Sequence, residues 1–317
     1  MSPSPVPAAL PSGLGPHCVG RRVVVRRVVR GETGPSGGPA MTDVLGEMES
    51  WSSSVTTVRA ADGTVVSIAL ADIVSGKPVP PRPSVRARVT PRDAQARSLV
   101  MWPDAETEPV GDWLLRCTGP SGRGVVARAN SVLAMGDPGI PLPQAAARVA
   151  AFYARRARPA WAQVEVGGEI DLALTRLGWC AARPGEADSV FEIASVARVL
   201  RVLAGTLRPG VEVTLSPDGP RLLASVGGPG AALARGRAAV DGDWVGLHDL
   251  WTDPGHRRQG LSSAILAHLL EDAAAAGALT AYLQVRADNA GALALYDSLG
   301  FSTHHAYRYL AAPPTPL

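Results

Sequence analysis

Residues 244–265 read WVGLHDLWTDPGHRRQGLSSAI, a strand-like run from Trp244 to Thr252, a turn at Pro254, a loop from His256 to Gly260 and the start of a helix. Pro254 suits a chain leaving a strand, because it cannot continue a ladder on its donor side. The helix is expected from Leu261 to Ala275, with Leu261, Ile265 and Leu269 at i, i+4 spacing and Gly277 as its stop. Strand, loop and helix in that order bring unpaired backbone N–H groups, the positive end of a helix dipole, Arg257 and Arg258 to one place. That combination suits a pyrophosphate.

Downstream, Thr280 to Val285 reads as a second buried strand and Asn289 follows it. Ala292, Leu293, Leu295, Tyr296 and Leu299 then form a short amphipathic helix closed by Gly300 and Phe301.

With both motifs in this order and spacing, residues 244–310 resemble the GNAT N-acetyltransferase superfamily. The resemblance implies an α/β (α+β) fold, a mixed sheet flanked by helices, with acetyl-coenzyme A as cosubstrate, no metal, and direct attack by a small-molecule or peptide amine. It implies that the main chain of Leu250, Trp251 and Thr252 binds the pantetheine arm, and that an N–H near Leu250 stabilises the oxyanion. Arg257, Arg258, Gln259, Gly260, Leu261 and Ser262 would wrap the pyrophosphate; Ser262 stands where the family usually has Gly or Ala. A Cβ at Gly260 would take the space of a phosphate oxygen. Tyr296 resembles the tyrosine that protonates the departing sulfur, and Asn289 either contacts the cofactor or orders the loop before the helix.

The general base is left between His248 and Asp249, which alternation puts on opposite sides of the strand. His248 titrates near neutrality and suits removal of an ammonium proton; it equally fits a satisfied sheet-face histidine. His304 and His305 would also fall on opposite sides of a strand and carry no metal signal.

The chain repeats itself. Trp161 to Val164 precedes a helix ending Leu177, Gly178, Trp179, as Tyr282 to Val285 precedes one ending Leu299, Gly300, Phe301; both copies return to a strand, at Ser189 to Ile193 and at Tyr307 to Leu310. The first copy lacks the arginine-glycine loop and has Leu174 in place of Tyr296, so it is read as a catalytically degenerate GNAT-like unit. Its strands are expected at Trp113 to Cys117 and Val125 to Val132 across a Gly-rich turn, and its helix at Gln144 to Arg158. Arg116, Arg128, Asn130 and Ser131 are the candidates for lining an acceptor cleft between the copies; outward-facing strand positions are the other reading of the four.

Residues 1–16 are Pro, Ser and Gly rich and are expected to be disordered. Residues 17–77 carry short strands and a hairpin signal at Asp62, Gly63, and are read as an SH3-like small β-barrel. A Pro-rich linker spans 78–92, the degenerate unit 93–200 and the catalytic unit 201–317.

The first 100 residues hold twelve Lys and Arg against seven Asp and Glu. Arg21, Arg22, Arg26, Arg27 and Arg30 supply much of that excess. Nucleic acid is thus a possible partner, but no aromatic residues are interleaved for stacking, and a solvated strand face is the favoured reading. The 317 residues, 46% of them hydrophobic, are enough for several cores, and no apolar run is long enough for a membrane span. With no signal-peptide pattern and three scattered cysteines, a cytoplasmic, reduced protein is expected. A non-catalytic acyl-coenzyme A sensor, or a nucleic-acid-associated regulator using the basic barrel, is the alternative to an enzyme. The oligomeric state is not legible.

Overall fold

The computed structural model describes residues 13–34, 37–60, 62–79, 85–119, 125–228 and 232–314. The chain divides into two compact units, Met1–Pro83 and Ser84–Leu317.

The first unit holds β1 (Arg22–Thr33), β2 (Pro39–Trp51), β3 (Val55–Ala60), β4 (Val65–Ala69) and β5 (Ile73–Pro78). Period-two alternation buries Val23 and Val25 on the face that also takes Val44, Met48, Val58 and Ile68. Leu14 is buried in the same core, so order begins before residue 17; residues 1–12 lie outside the described residues. The strands run β4-β3-β2-β1-β5, each pair antiparallel. Among the described residues nothing pairs β4 with β5, so the expected barrel is an open sheet. Both edge strands are short, and a 3-10 turn at Leu70–Asp72 carries the chain from one edge to the other. Within the basic cluster, Arg26 pairs with Asp43 at 2.8 Å and Arg30 with Asp72 at 2.7 Å.

The second unit begins with a 3-10 turn at Val85–Arg88 and α1 (Pro91–Ala96), inside the stretch expected to be linker. Its first half comprises β6 (Glu106–Val110), β7 (Trp113–Cys117), β8 (Val132–Leu133), α2 (Leu142–Ala154), β9 (Trp161–Glu165), α3 (Glu169–Arg176), β10 (Cys180–Ala181) and β11 (Ser189–Ser195). After α4 (Val196–Ala204), its second half comprises β12 (Thr214–Asp218), β13 (Arg221–Val226), β14 (Ala234–Asp241), β15 (Trp244–Thr252), α5 (Leu261–Ala275), β16 (Thr280–Arg286), α6 (Ala290–Ser298) and β17 (Ser302–Ala311).

The expected strand over 125–132 is mostly absent. A 3-10 turn covers Ala127–Ala129, because Asn130 and Ser131 bond back to Val126 and Ala127 carbonyls and hold the chain off the ladder. The Gly-rich turn at 120–124 lies outside the described residues.

One mixed sheet runs β12-β13-β14-β15-β16-β11-β17-β9-β8-β7-β6, with β10 on β17. The order β7, β8, α2, β9, α3, β11 matches β14, β15, α5, β16, α6, β17, and each set has one parallel pair, β8 with β9 and β15 with β16. The two copies interlock: β11 lies between β16 and β17, and β17 lies between β11 and β9. Each half therefore completes its sheet with a strand from the other. α5 packs on one face over Val245, Leu247, Ala281 and Leu283. The opposite face, with Phe191, Ile193, Trp244 and Tyr282, is covered by Ala94 of α1.

Candidate active site

Strand divergence makes the site. β15 and β16 pair in parallel from Trp244 with Thr280 to Leu247 with Leu283 and then separate. Beyond the fork, β15 stays paired to β14 and β16 to β11, so the facing edges of residues 248–252 and 284–286 are open to each other. A cleft of about 310 Å³ opens there, its walls including His248, Asp249, Leu250, Gln284 and Tyr296. One wall comes from residues the sequence did not single out, Ser98, Met101 and Trp102, which α1 leads onto the sheet.

The expected alternation fails at Asp249. Its φ is +52°, the register slips between Arg235 and Arg237 on β14, and both His248 and Asp249 line the cleft. His248 sits edge-on to Trp102, ring centroids 5.0 Å apart. Burial, reinforced by the Arg128 charge, pushes its imidazole down to about 4, leaving a neutral ring at physiological pH. Asp249 accepts from Arg235 Nε at 3.0 Å and also pairs with Arg237. Burial acts to raise its pKa, but the Arg235 hydrogen bond and the two guanidinium charges hold it below the ordinary carboxylate value.

Tyr296, on α6, is 8% exposed, and its hydroxyl makes no hydrogen bond among the described residues. Burial pushes the phenol up to about 12, so it stays protonated. Asn289 also lines the cleft, and its side chain accepts from Ala292 N at 3.2 Å as the cap of α6.

The loop begins at Asp253. The Asp253 carboxylate takes Gly255 N and His256 Nδ1, both at 2.9 Å. Arg258 and Gly260 then adopt left-handed φ of +63° and +82°, and α5 starts with neither a side-chain cap nor an acidic residue in its first turn. The Thr252 and Ser262 hydroxyls lie 2.7 Å apart, joining strand end to helix start. The nearest atoms to a Cβ built on Gly260 belong to the side chain of Arg208. In the corresponding loop of the first half the Asp112 carboxylate accepts from Asp137 N at 2.9 Å and Asp137 from Gly139 N at 2.8 Å, and α2, like α5, starts without a side-chain cap. Ala134 N donates to Gln163 O at 2.9 Å, continuing the contact beyond the β8–β9 pair. Leu174 is fully buried in the position matching Tyr296.

Of the four acceptor-cleft candidates, Arg128 lines the cleft. Arg116 is neither cleft-lining nor outward-facing: it is 1% exposed and bonds Ser131 O at 3.1 Å and Gln163 Oε1 at 2.7 Å. Asn130 and Ser131 are likewise buried and spent on the turn.

Two family models match the chain, one described as the C-terminal part of probable histone acetyltransferase Rv0428c over residues 200–310, the other as the Rv0428c N-terminal Sm-like domain over residues 17–77. Over 309 residues the chain is 29% identical to the probable histone acetyltransferase Rv0428c of Mycobacterium tuberculosis, covering 93% of this chain and 95% of that one. The fold resembles a GCN5-related N-acetyltransferase from Kribbella flavida, with a TM-score of 0.55 at 17% identity over 73% of this chain and 96% of that one. The chain belongs to the GNAT superfamily. A shorter likeness, 47% identity over 60 residues, is to the [ribosomal protein bS18]-alanine N-acetyltransferase of Escherichia coli, and spans 19% of this GNAT chain and 40% of that relative. The N-terminal unit of this GNAT protein matches an Sm-like description rather than an SH3-like one.

Proposed function

We propose that the protein is an N-acetyltransferase that moves an acetyl group from acetyl-coenzyme A to a primary amine by direct attack in a ternary complex. The observation that carries this reading is the contrast between the two halves. One fork parts after Leu247 and Leu283 and opens a cleft with Tyr296 in its wall, while in the other half Ala134 N still bonds Gln163 O beyond the last strand pair and a buried Leu174 stands in place of the tyrosine.

Bound at the open fork, acetyl-coenzyme A would supply the acyl thioester. The free edge of Leu250 to Thr252 would pair with its pantetheine arm as an added strand, and the residue 257–262 loop would hold its diphosphate, with Arg257 and Arg258 supplying charge. Tyr296 presents a protonated phenol to the departing sulfur. Neutral His248 accepts the amine's proton through water, whereas Asp249, held ionised by two arginines, orders the bulge that aims the Leu250 N–H. The acceptor is a small-molecule or peptide amine; the bS18-alanine acetyltransferase supports the peptide end of that range.

Release of free thiol from acetyl-coenzyme A over a panel of amines and peptides tests the proposal. Tight coenzyme A binding with no turnover on any acceptor would move the reading to a sensor.

A further inference from the structure

Arg208 lies outside both sequence motifs, in the segment after α4, yet its side chain packs on the phosphate loop. A Cβ built on Gly260 would sit 3.4 Å from Arg208 Cδ, 3.5 Å from Cγ and 3.7 Å from Nε. The aliphatic stem thus runs across the Gly260 Cα, and the guanidinium emerges beside the first turn of α5. Arg208, Arg257 and Arg258 are all exposed, and none forms an ion pair among the described residues.

The placement puts positive charge where a helix start disfavours it, offset in part by the Asp253 carboxylate, which acts on Arg257. A helix N-terminus disfavours cations; here three arginines gather at one that has no acidic residue in its first turn. Elsewhere in this unit arginines find carboxylates, as Arg235 does with Asp249 and Arg308 with Asp171. The diphosphate expected at the loop answers to the α5 amides, Arg257 and Arg258. Arg208 approaches Gly260 from the chain segment following α4, separate from that motif, and coenzyme A carries one further phosphate, on the 3′ carbon of its adenosine ribose.

Resting on the reading of the loop as a coenzyme A site, we infer that Arg208 is a specificity-determining residue that recognises the 3′-phosphate and makes the protein discriminate coenzyme A from its 3′-dephospho form. A planar guanidinium forms two parallel charge-assisted hydrogen bonds to such a group. The Gly260 Cα, bare of a side chain, is the surface against which the stem is laid.

The test is calorimetric titration of the full chain with coenzyme A and with 3′-dephospho-coenzyme A, needing no acceptor and no turnover. Wild type is expected to bind coenzyme A roughly tenfold more tightly than the dephospho form. Arg208→Gln should lose that preference while keeping wild-type affinity for the dephospho form, and Arg208→Lys should recover part of it. Arg208 is exposed, so both variants are expected to fold, and matching melting curves check this. Equal weakening toward both ligands would assign Arg208 to the diphosphate and overturn the inference, as would a preference that survives in Arg208→Gln. Wild-type binding with no preference sinks the inference alone, whereas no binding of either ligand sinks the coenzyme A reading with it.

Discussion

The Tyr307 hydroxyl donates to Gln284 Oε1 at 2.6 Å and accepts from Arg128 Nε at 3.0 Å. Tyr307 stands on β17, Gln284 on β16 at the cleft, and Arg128 on the 3-10 turn of the first half, which also donates to Gln284 O at 3.3 Å. One phenol therefore fastens the degenerate half to the rim of the open fork. Tyr307→Phe leaves a guanidinium N–H and a carboxamide oxygen without that partner, and should cost about 1–3 kcal/mol in urea unfolding. Tyr309 is the control: among the described residues its buried hydroxyl makes no hydrogen bond of good geometry, so Tyr309→Phe should be near neutral. Equal losses for the two would refute the fastening role.

His304 and His305 were expected on opposite sides of a strand, but their rings adjoin, with Nδ1 atoms 2.8 Å apart. The register between β11 and β17 slips at this point, from Phe191 with His305 to Glu192 with Thr303, and His304 is the extra residue. The hydrogen bonds fix both tautomers. Val89 O can only accept, so His304 Nε2 carries its hydrogen; His304 Nδ1 then accepts from His305 Nδ1, and His305 Nε2 accepts from Gln95 Nε2. Burial, with His304 adding to it, pushes His305 down to about 3.

Stability should follow. A histidine whose folded pKa lies below its unfolded value of roughly 6.5 binds protons preferentially when unfolded. The melting temperature should be level above pH 6.5 and fall as the pH drops from there toward 3, His248 contributing down to about 4. Melting curves from pH 8 to 4 check this, and His305→Gln should make the fall shallower.

Much of the second half was legible because its signals are local. The Leu261 to Ala275 helix, the Thr280 strand and the Asn289 to Gly300 helix declare themselves by periodicity, cap and stop within some fifteen residues. The rest depends on pairings no local pattern carries. Nothing in the residues 189–195 says that they lie between β16 and β17, or that Ser98, Met101 and Trp102 wall the cleft. Arg116 misled for the same reason: its partner Gln163 is 47 residues away, and without it an arginine among apolar strand positions reads as surface or ligand-facing. The bulge at Asp249 defeated alternation, which holds only while the ladder stays in register.

The pH dependence of acetyl transfer should belong to the acceptor. With His248 neutral above about 4 and Tyr296 protonated below about 12, neither of these two cleft groups titrates between pH 6 and 9. kcat/KM should therefore rise with pH as the amine loses its proton, and two acceptors of different basicity should give displaced profiles. A shared inflection near 6.5 for both would contradict the neutral, buried state of His248.

Loop and helix should separate in kinetics. Arg257→Ala removes a charge at the phosphate loop and should weaken coenzyme A binding roughly tenfold with little change in kcat, whereas Tyr296→Phe should lower kcat roughly a hundredfold at nearly unchanged binding. Calorimetry and steady-state kinetics on the same preparations decide it, and indistinguishable profiles would refute both roles.

Gly246 lies at the root of the fork, where β15 still pairs with β16. A Cβ there would come within 2.5 Å of Tyr282 Cζ and closer still to its hydroxyl. The glycine has no left-handed φ, so the backbone tolerates alanine and the cost is steric. Tyr282 has little room to yield: its ring stacks on Phe191 at 5.0 Å, and its hydroxyl donates to Arg97 O at 3.1 Å. Gly246→Ala should thus cost about 1–3 kcal/mol by overpacking and disturb the Arg97–Met101 wall. Tyr282→Phe removes the nearest clashing atom. In the Gly246→Ala background it should therefore cost less than in wild type, a coupling readable from a double-mutant cycle in urea. Strict additivity would mean that Gly246 is not what holds Tyr282 against that wall.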